Sequence, residues 1–374
     1  MKLLSISKRI RALLNFRAPN GYFFHQKEKK IHPIECTAGP RVWIFRLFCR
    51  KLPPPMGTRE SISAMQETPN TAKSDRKIIL SGASGMLGSA LRDALASRNK
   101  PILTLVRRPP TSPAEFQWNP AADPAIPNLD ALGDVSAAIH LSGANVAAHR
   151  WTPAFKREIL ESRVRSTSAL ATTLAALRNP PQTLLVASAA GIYGDRNGQL
   201  LDESSTPGSG FLADVCRQWE AAAQPAVQAG IRVVNLRLGV VIGPGQGALG
   251  KMLPLFRLGL GGPLGSGRQW MSWISLADAI SAILFLLDTP SIEGPVNLTA
   301  PSPITNAQFT RALAHAVHRP AILPAPAFAL RLALGEMADE ALLSSARVYP
   351  SKLISAGFQF AHPTIAQALD AALA

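Results

Sequence analysis

Residues 77–98 read KIILSGASGMLGSALRDALASR. The apolar run Ile78 to Leu80 gives way to glycines at 82, 85 and 88, and Leu87, Leu91 and Leu95 then recur every four residues. A short apolar run bounded by glycine reads as a buried strand, and the four-residue recurrence reads as a helix. The glycines between them answer three separate needs. The chain must turn sharply, an anionic group must approach bare backbone N–H groups, and the helix must pack closely on the strand. A glycine triplet alone is a weak signal. Here it stands between strand and helix, and a second strand, PILTLV at 101–106, follows, so the segment is expected to bind a dinucleotide pyrophosphate through Gly82, Ala83, Ser84, Gly85, Met86, Leu87 and Gly88.

The second strand ends in Arg107-Arg108, where selectivity for NAD calls for an acid that holds the ribose hydroxyls. Arginine suits a 2′-phosphate, so NADP(H) is expected over NAD(H), with Arg107 as the reader; a solvated surface arginine is the competing reading. The pattern then repeats. EFQW at 115–118 reads as a short strand, VSAAIHLSG at 135–143 as a buried strand ending in a small-residue loop, and residues 152–177 as a long helix. QTLLVASAAGIYG at 182–194 and IRVVNLRLGVVIGP at 231–244 are the next strands. Strands alternating with helices predict an α/β fold, a Rossmann-type doubly wound parallel sheet with ligands at the carboxyl ends of its strands. Those ends carry the glycine loop, Arg107, the run Leu141, Ser142, Gly143 and Ala144, then Ser188 and Arg237.

The 374 residues are 47% hydrophobic, enough for a large core. The net charge of +15 suggests an anionic partner until its distribution is counted. Residues 1–77 hold 16 Lys and Arg against 5 acids, and residues 78–374 hold 23 against 19. The basicity belongs to the first segment, and no nucleic-acid-reading motif accompanies it in the rest, so no nucleic-acid partner is expected. Residues 1–24 carry five basic residues and no acid, as in an organellar transit peptide or a basic arm; a poorly structured extension or an upstream start is the favoured reading, since Met56 and Met65 both precede the first strand. Residues 51–75 are a Pro, Ser and Thr rich linker without hydrophobic period, which puts the onset of folding near Arg76. Cys36, Cys49 and Cys216 lack metal-ligand spacing and fit a reducing, cytoplasmic compartment, with an organellar one as the alternative if residues 1–30 act as a transit peptide. His315 and His318 lack a third ligand nearby in sequence, so no metal is expected. The apolar run AISAILFLL at 279–287 is too short to span a bilayer and reads as a core helix.

Taken together these motifs resemble the extended short-chain dehydrogenase/reductase superfamily, which includes nucleotide-sugar epimerases and dehydratases. Residues 150–167, 247–278, 294–309 and 335–360 are similar to the epimerase-like subfamily that ends in a short C-terminal domain of its own. The resemblance spans about residues 77–370 and implies three regions: an extension at 1–76, a dinucleotide-binding domain at 77–300 with a substrate loop at 243–275, and a small, mainly helical C-terminal domain at 301–374 on the substrate side. A small-molecule substrate is expected, and a homodimer is left open. In the superfamily a Ser or Thr polarises the substrate oxygen, a Tyr transfers the proton, and a Lys four residues later lowers the Tyr pKa and holds the nicotinamide ribose. A phenol needs that neighbouring cation to work near neutrality. GFLADVCRQWE at 210–220 occupies that helix; counting back from Glu220 by fours gives Cys216 and Leu212, counting forward from Phe211 gives Val215, and neither register holds a Tyr and a Lys.

Ser188 is the candidate for the superfamily serine, although the register set by Tyr193 and Gly194 would put Ala189 there. Tyr193 is the candidate substitute acid, against a structural role. On the substrate side, FRLGLGGPLGSGRQWMSWISLADA at 256–279 reads as a glycine-rich binding or lid loop. Arg257, Arg268 and Gln269 are candidates for an anionic or polar substrate group, and Trp270 and Trp273 for stacking faces; core tryptophans and solvated arginines are the alternative. Asp278 reads as a helix cap. The expected function is an NADP(H)-dependent epimerase or oxidoreductase for a small, sugar-like or phosphorylated metabolite. The missing Tyr and Lys keep a second expectation open, a cofactor-binding sensor or partner protein without turnover.

Overall fold

The β-branched and apolar runs of the sequence become strands wherever glycine, proline or a polar turn bounds them. In the computed structural model, which describes residues 76–374, these are β1 (Lys77–Ser81), β2 (Ile102–Val106), β3 (Glu115–Gln117), β4 (Val135–His140) and β5 (Thr183–Ala189). The short β6 (Leu200–Leu201) precedes β7 (Arg232–Leu238), β8 (Val240–Ile242), β9 (Trp270–Met271), β10 (Trp273–Ser275), β11 (Gly294–Leu298), β12 (Ile304–Thr305) and β13 (Arg347–Val348). The expectations for the basic extension and linker fall on residues outside the described ones. The helices are α1 (Met86–Ser97), α2 (Pro153–Ala175), α3 (Phe211–Ala221), α4 (Gln224–Gln228), α5 (Gly247–Arg257), α6 (Leu276–Asp288), α7 (Asn306–Ala316), α8 (Ala327–Leu334), α9 (Ser351–Ser355) and α10 (Ile365–Leu373), with a π-helical stretch at Ala338–Leu343.

Seven strands form one sheet in the order β11-β7-β5-β4-β1-β2-β3, and each neighbouring pair is parallel. Parallel strands are buried on both faces, which explains why their sequences are nearly continuous apolar runs. Successive side chains point to opposite faces. Ile78 and Leu80 accordingly join Leu91, Leu95 and Ile283 under α1 and α6, while Ile79 joins Leu170, Leu174 and Trp219 under α2 and α3. The strand order reverses between β1 and β4, so a crevice opens at their carboxyl ends, where an open α/β sheet binds its ligands.

Residues 243–275, expected as a substrate loop, are largely built into the fold. They contain α5, β9 and β10, and with α7 and α10 they form a third core around Trp273, Leu253, Phe256, Phe309, Leu313 and Leu369. Its glycines are there for close packing: a Cβ on Gly262 would lie 1.8 Å from the Leu323 carbonyl oxygen, and one on Gly261 2.8 Å from the Phe256 ring. The C-terminal segment is stitched back by the parallel pairing of β13 with β6 and by the Asn297 amide donating to the Tyr349 carbonyl at 3.0 Å. Ser275 rather than Asp278 caps α6, through the Asp278 N–H at 3.0 Å. Asp278, 1% exposed, instead accepts the backbone N–H groups of Ala361 and His362 at 2.7 and 3.0 Å. No helix among the described residues is long and apolar enough to cross a membrane.

Candidate functional site

The glycine loop between β1 and α1 floors a cavity of about 920 Å³ at the reversal of strand order. Its glycines differ in what they do. Gly82 has φ +76°, and a Cβ there would lie 2.7 Å from the Leu141 carbonyl carbon; a Cβ on Gly88 would lie 2.1 Å from the Gly82 oxygen. Both are demanded by the fold. Gly85 is not: the nearest atom to a Cβ there is 3.6 Å away. Its bare backbone keeps a cradle open at the start of α1, whose N-terminus has no side-chain cap. The N–H groups of that first turn are therefore free for an anion, as a pyrophosphate requires. Ala83 and Ser84 line the cavity beside Gly82 and Gly85, and Leu141, Ser142, Gly143 and Ala144 form the facing wall. Met86, Leu87 and Gly88 offer backbone only. The Leu87 side chain packs into the core under α1, and the Met86 sulfur lies against Gly243.

Two arginines end β2 and only one is free. Arg108 grips Glu115 with two bonds of 2.9 and 2.6 Å, and the Thr111 N–H donates to the same carboxylate at 2.7 Å. The Arg108 guanidinium and Thr111 hold the Glu115 carboxyl down to about 2. Arg107 lines the cavity and makes no hydrogen bond or ion pair among the described residues. Beneath the cavity His140 is fully buried, its Nδ1 2.6 Å from Ser81 Oγ and its Nε2 3.0 Å from Ser166 Oγ. Ser166 donates to the Ser162 carbonyl at 2.7 Å, so it accepts from Nε2–H and leaves Nδ1 to accept from Ser81. Burial pushes His140 down to about 3, which keeps the ring neutral.

A second cavity, of about 650 Å³, adjoins the carboxyl ends of β5 and β7. Ala189, Leu212, Cys216, Trp270 and Glu340 are among its walls. Burial, with the Glu220 carboxylate, raises the Cys216 thiol to about 11, so it is neutral and a poor nucleophile. Among the described residues Arg163 of α2 is the one Lys or Arg on this wall. It donates to the carbonyls of Ile159 at 3.0 Å and Ala144 at 2.9 Å and lies 5.0 Å from the centre of the Trp219 ring. From the C-terminal segment Glu340 accepts the Leu212 N–H at 3.1 Å and so caps α3. Gly210, with φ +110°, holds a backbone conformation that favours glycine, and a Cβ there would press on the tip of the Glu340 side chain, 2.6 Å away.

Ser188 and Tyr193 do not face either cavity. Ser188, 2% exposed, donates to Glu220 Oε1 at 2.7 Å, and Arg237 closes on both Glu220 oxygens at 2.9 and 3.0 Å. Arg237 also donates to the Tyr193 hydroxyl at 3.0 Å, which in turn donates to Asn297 Oδ1 at 2.7 Å. Tyr193 is 0% exposed, and burial raises its pKa, the reverse of what an acid working near neutrality needs. The two candidates of the catalytic pair are thus links in a buried network that joins β5, α3, β7 and β11. Ala189, one residue on, is the strand-end residue that meets the second cavity.

The glycine cradle, the sheet order and the strand-end loops bring together what the sequence motifs promised, and a family model confirms the grouping: the NAD dependent epimerase/dehydratase family matches residues 78–298. The chain belongs to this family. Within it the chain is an extended short-chain dehydrogenase/reductase of the SDR39U1-like kind, with a match to the Domain of unknown function (DUF1731) at residues 325–372. Epimerase family protein Mb2239 of Mycobacterium bovis is 47% identical over 292 residues, 78% of this chain and 96% of its own length. The chloroplastic SDR39U1 homolog of Arabidopsis thaliana is 36% identical over 308 residues, 80% of this chain and 87% of its own. The crystal structure of human epimerase family protein SDR39U1 (isoform 2) with NADPH superposes with a TM-score of 0.72 at 31% identity, covering 79% of this chain and 98% of the human one.

Set beside this epimerase/dehydratase family, the substrate-side candidates divide. Trp270 lines the second cavity with the Arg347 guanidinium 4.3 Å from its ring centre. Gln269 lines it too, but its amide is committed to the carbonyls of Leu264 and Leu342, both at 3.0 Å. Trp273 is fully buried in the third core, its indole donating to the Ser302 carbonyl at 3.0 Å, so it offers no stacking face. Arg257 and Arg268 are exposed and line neither cavity, because α5 and the turn after it carry them outward. Arg163 and Glu340 escaped the sequence reading. Both lie inside stretches that carry the family resemblance, 150–167 and 335–360, but no spacing marks them as site residues, and only the packing of α2 and of Ala338–Leu343 against α3 brings them in. Among the described residues no group of three His, Cys, Asp or Glu side chains is placed to hold a metal.

Proposed function

We propose that this epimerase-family protein binds NADP(H) along the first cavity and works as an oxidoreductase or epimerase on a small molecule received in the second. The observation that carries the reading is Gly85: nothing in the protein requires it to be glycine, yet it leaves a bare, uncapped helix start facing a cleft with an unpaired arginine. The first-turn N–H groups of α1 would hold the pyrophosphate and Arg107 the 2′-phosphate, with Leu141 to Ala144 opposite. When bound, the dinucleotide supplies hydride transfer. The chain's own part is to bind it, to orient its reactive end toward the second cavity, and to keep water from the largely apolar wall there. That NADPH accompanies the human SDR39U1 structure supports the choice of cofactor.

A second reading, a dinucleotide-binding sensor or partner protein without turnover, is favoured by one observation. Leu212 and Cys216 in one register, Phe211 and Val215 in the other, stand on α3 where the superfamily carries its proton donor and cation, and Cys216 is a neutral thiol. For the compartment we retain the cytoplasm, with the organellar alternative supported by the chloroplastic Arabidopsis relative.

Titration with NADPH and NADH tests both the cofactor and its selectivity. NADPH is expected to bind at least tenfold more tightly, and Arg107→Asp to remove that preference. Equal affinities in the unaltered protein would sink the assignment of the 2′-phosphate to Arg107. Oxidation of bound NADPH by members of a carbonyl panel separates the enzyme from the sensor.

A further inference from the structure

Two of the buried or cleft-side arginines are held by carboxylates, Arg237 by Glu220 and Arg108 by Glu115, as expected where desolvating a charge is costly. Arg163 is held differently. It is half-buried, forms no ion pair among the described residues, and spends two of its five N–H donors on the Ile159 and Ala144 carbonyls. Carbonyls orient a guanidinium without neutralising it. The chain also makes room for it: a Cβ on Gly143 would stand 3.2 Å from the Arg163 Cζ, so the residue beside it on the loop has no side chain. Trp219 supports the opposite face at 5.0 Å.

Its place matters as much as its charge. Arg163 lines the second cavity, while Gly143 and Ala144, against which it lies, line the first. The guanidinium therefore stands at the seam of the two. A dinucleotide seated with its pyrophosphate on the glycine loop must pass this point for its far half to enter the second cavity. We infer that Arg163 is a binding residue for the half of the dinucleotide beyond the pyrophosphate, its remaining N–H donors taking the oxygens of that half at the seam, and that α2 thereby supplies the cation absent from α3.

This inference rests on the dinucleotide reading above, and two probes keep the two apart. The adenosine half alone, 2′,5′-ADP, reaches only the first cavity; NADPH spans both. Arg163→Met is expected to weaken NADPH at least tenfold by calorimetric titration while 2′,5′-ADP binds as in the unaltered protein, and Arg163→Lys is expected to restore most of the loss. Undiminished NADPH binding by Arg163→Met would overturn the assignment. So would an equal loss of both probes, which would mark Arg163 as a prop of the first cavity. Failure of the unaltered protein to bind either probe would bring down the dinucleotide reading and the inference with it.

Discussion

Lowering the pH from 8 to 5 should destabilise this protein through one residue, His140. Its ring is wholly enclosed, with Ser81 on Nδ1 and Ser166 on Nε2. Neither serine stabilises an added proton: Ser81 donates to Nδ1, and a protonated Nδ1 would face that donor with a second one. Burial accordingly takes the folded value down to about 3, against about 6.5 in an unfolded chain. Below pH 6.5 the unfolded state binds a proton that the folded state refuses, so this residue's contribution is lost as pH falls, with a limiting slope of about 1.4 kcal/mol per unit. From pH 8 to pH 5 that amounts to about 2 kcal/mol, in a window above the range where unfolded carboxylates titrate. Urea unfolding at half-unit intervals measures it. The difference between the wild-type profile and that of His140→Gln, which cannot titrate, isolates the residue even if the variant starts out less stable. A wild type whose stability falls no faster than the variant's between pH 6.5 and 5 would refute a neutral, enclosed His140.

Four substitutions test the roles of neighbouring residues. Gly85→Ala should cost no more than about 1 kcal/mol, the loss of a fair N-cap, while weakening NADPH at least tenfold; unchanged NADPH binding would remove the cradle from the cofactor site. Gly88→Ala, whose Cβ would meet the Gly82 oxygen at 2.1 Å, should instead fail as a folding variant, read from lost soluble yield and a lowered Tm. Glu220→Gln leaves Arg237, with 7% of its side chain exposed, without its carboxylate and should cost about 3–5 kcal/mol in urea unfolding; a loss under 1 kcal/mol would mean that water reaches the pair. Ser188→Ala removes only one bond to Glu220 and should cost about 1 kcal/mol with NADPH affinity intact.

The fold was legible because its signals are local. Strand, glycine turn and helix lie within 22 consecutive residues at 77–98, and each later strand is an apolar run with its own turn. The first cavity was legible for the same reason, since the glycine loop, Arg107 and Leu141 to Ala144 are all strand-end positions that the parallel sheet gathers at one edge. The second cavity was legible only in part: Gln269 and Trp270 of the 243–275 segment do line it, but its remaining walls come from β5, α3, α2 and the Ala338–Leu343 stretch, and no spacing in the chain records that these meet. The glycine-rich run at 259–267 misled for a physical reason. Glycine marks close approach as readily as mobility, and here Gly261 and Gly262 are pressed against Phe256 and Leu323. Ser188 misled because an alternating strand end offers two registers and the serine took the buried one, and Tyr193 because the 3-10 turn that follows the strand carries it into the core.

The altered helix α3 has a consequence for how the second cavity must be charged. A catalytic Tyr and Lys would present a phenol and a cation from one helical face, four residues apart. Leu212 and Cys216 make that face apolar, and burial keeps the thiol neutral. On the proposed function the cavity cannot be without charge altogether, because transferring a hydride leaves charge to be stabilised. The charged side chains that line it come from outside the helix: a cation from α2 at Arg163, and carboxylates at Asp195, Asp339 and Glu340, the last seated on the Leu212 N–H. Gly143 and Gly210 are the positions where the backbone yields space to each of them. The helix is where this protein departs from the Tyr and Lys arrangement, and with Glu340 seated on it the C-terminal segment becomes part of the cavity's electrostatics rather than an appendage to the sheet.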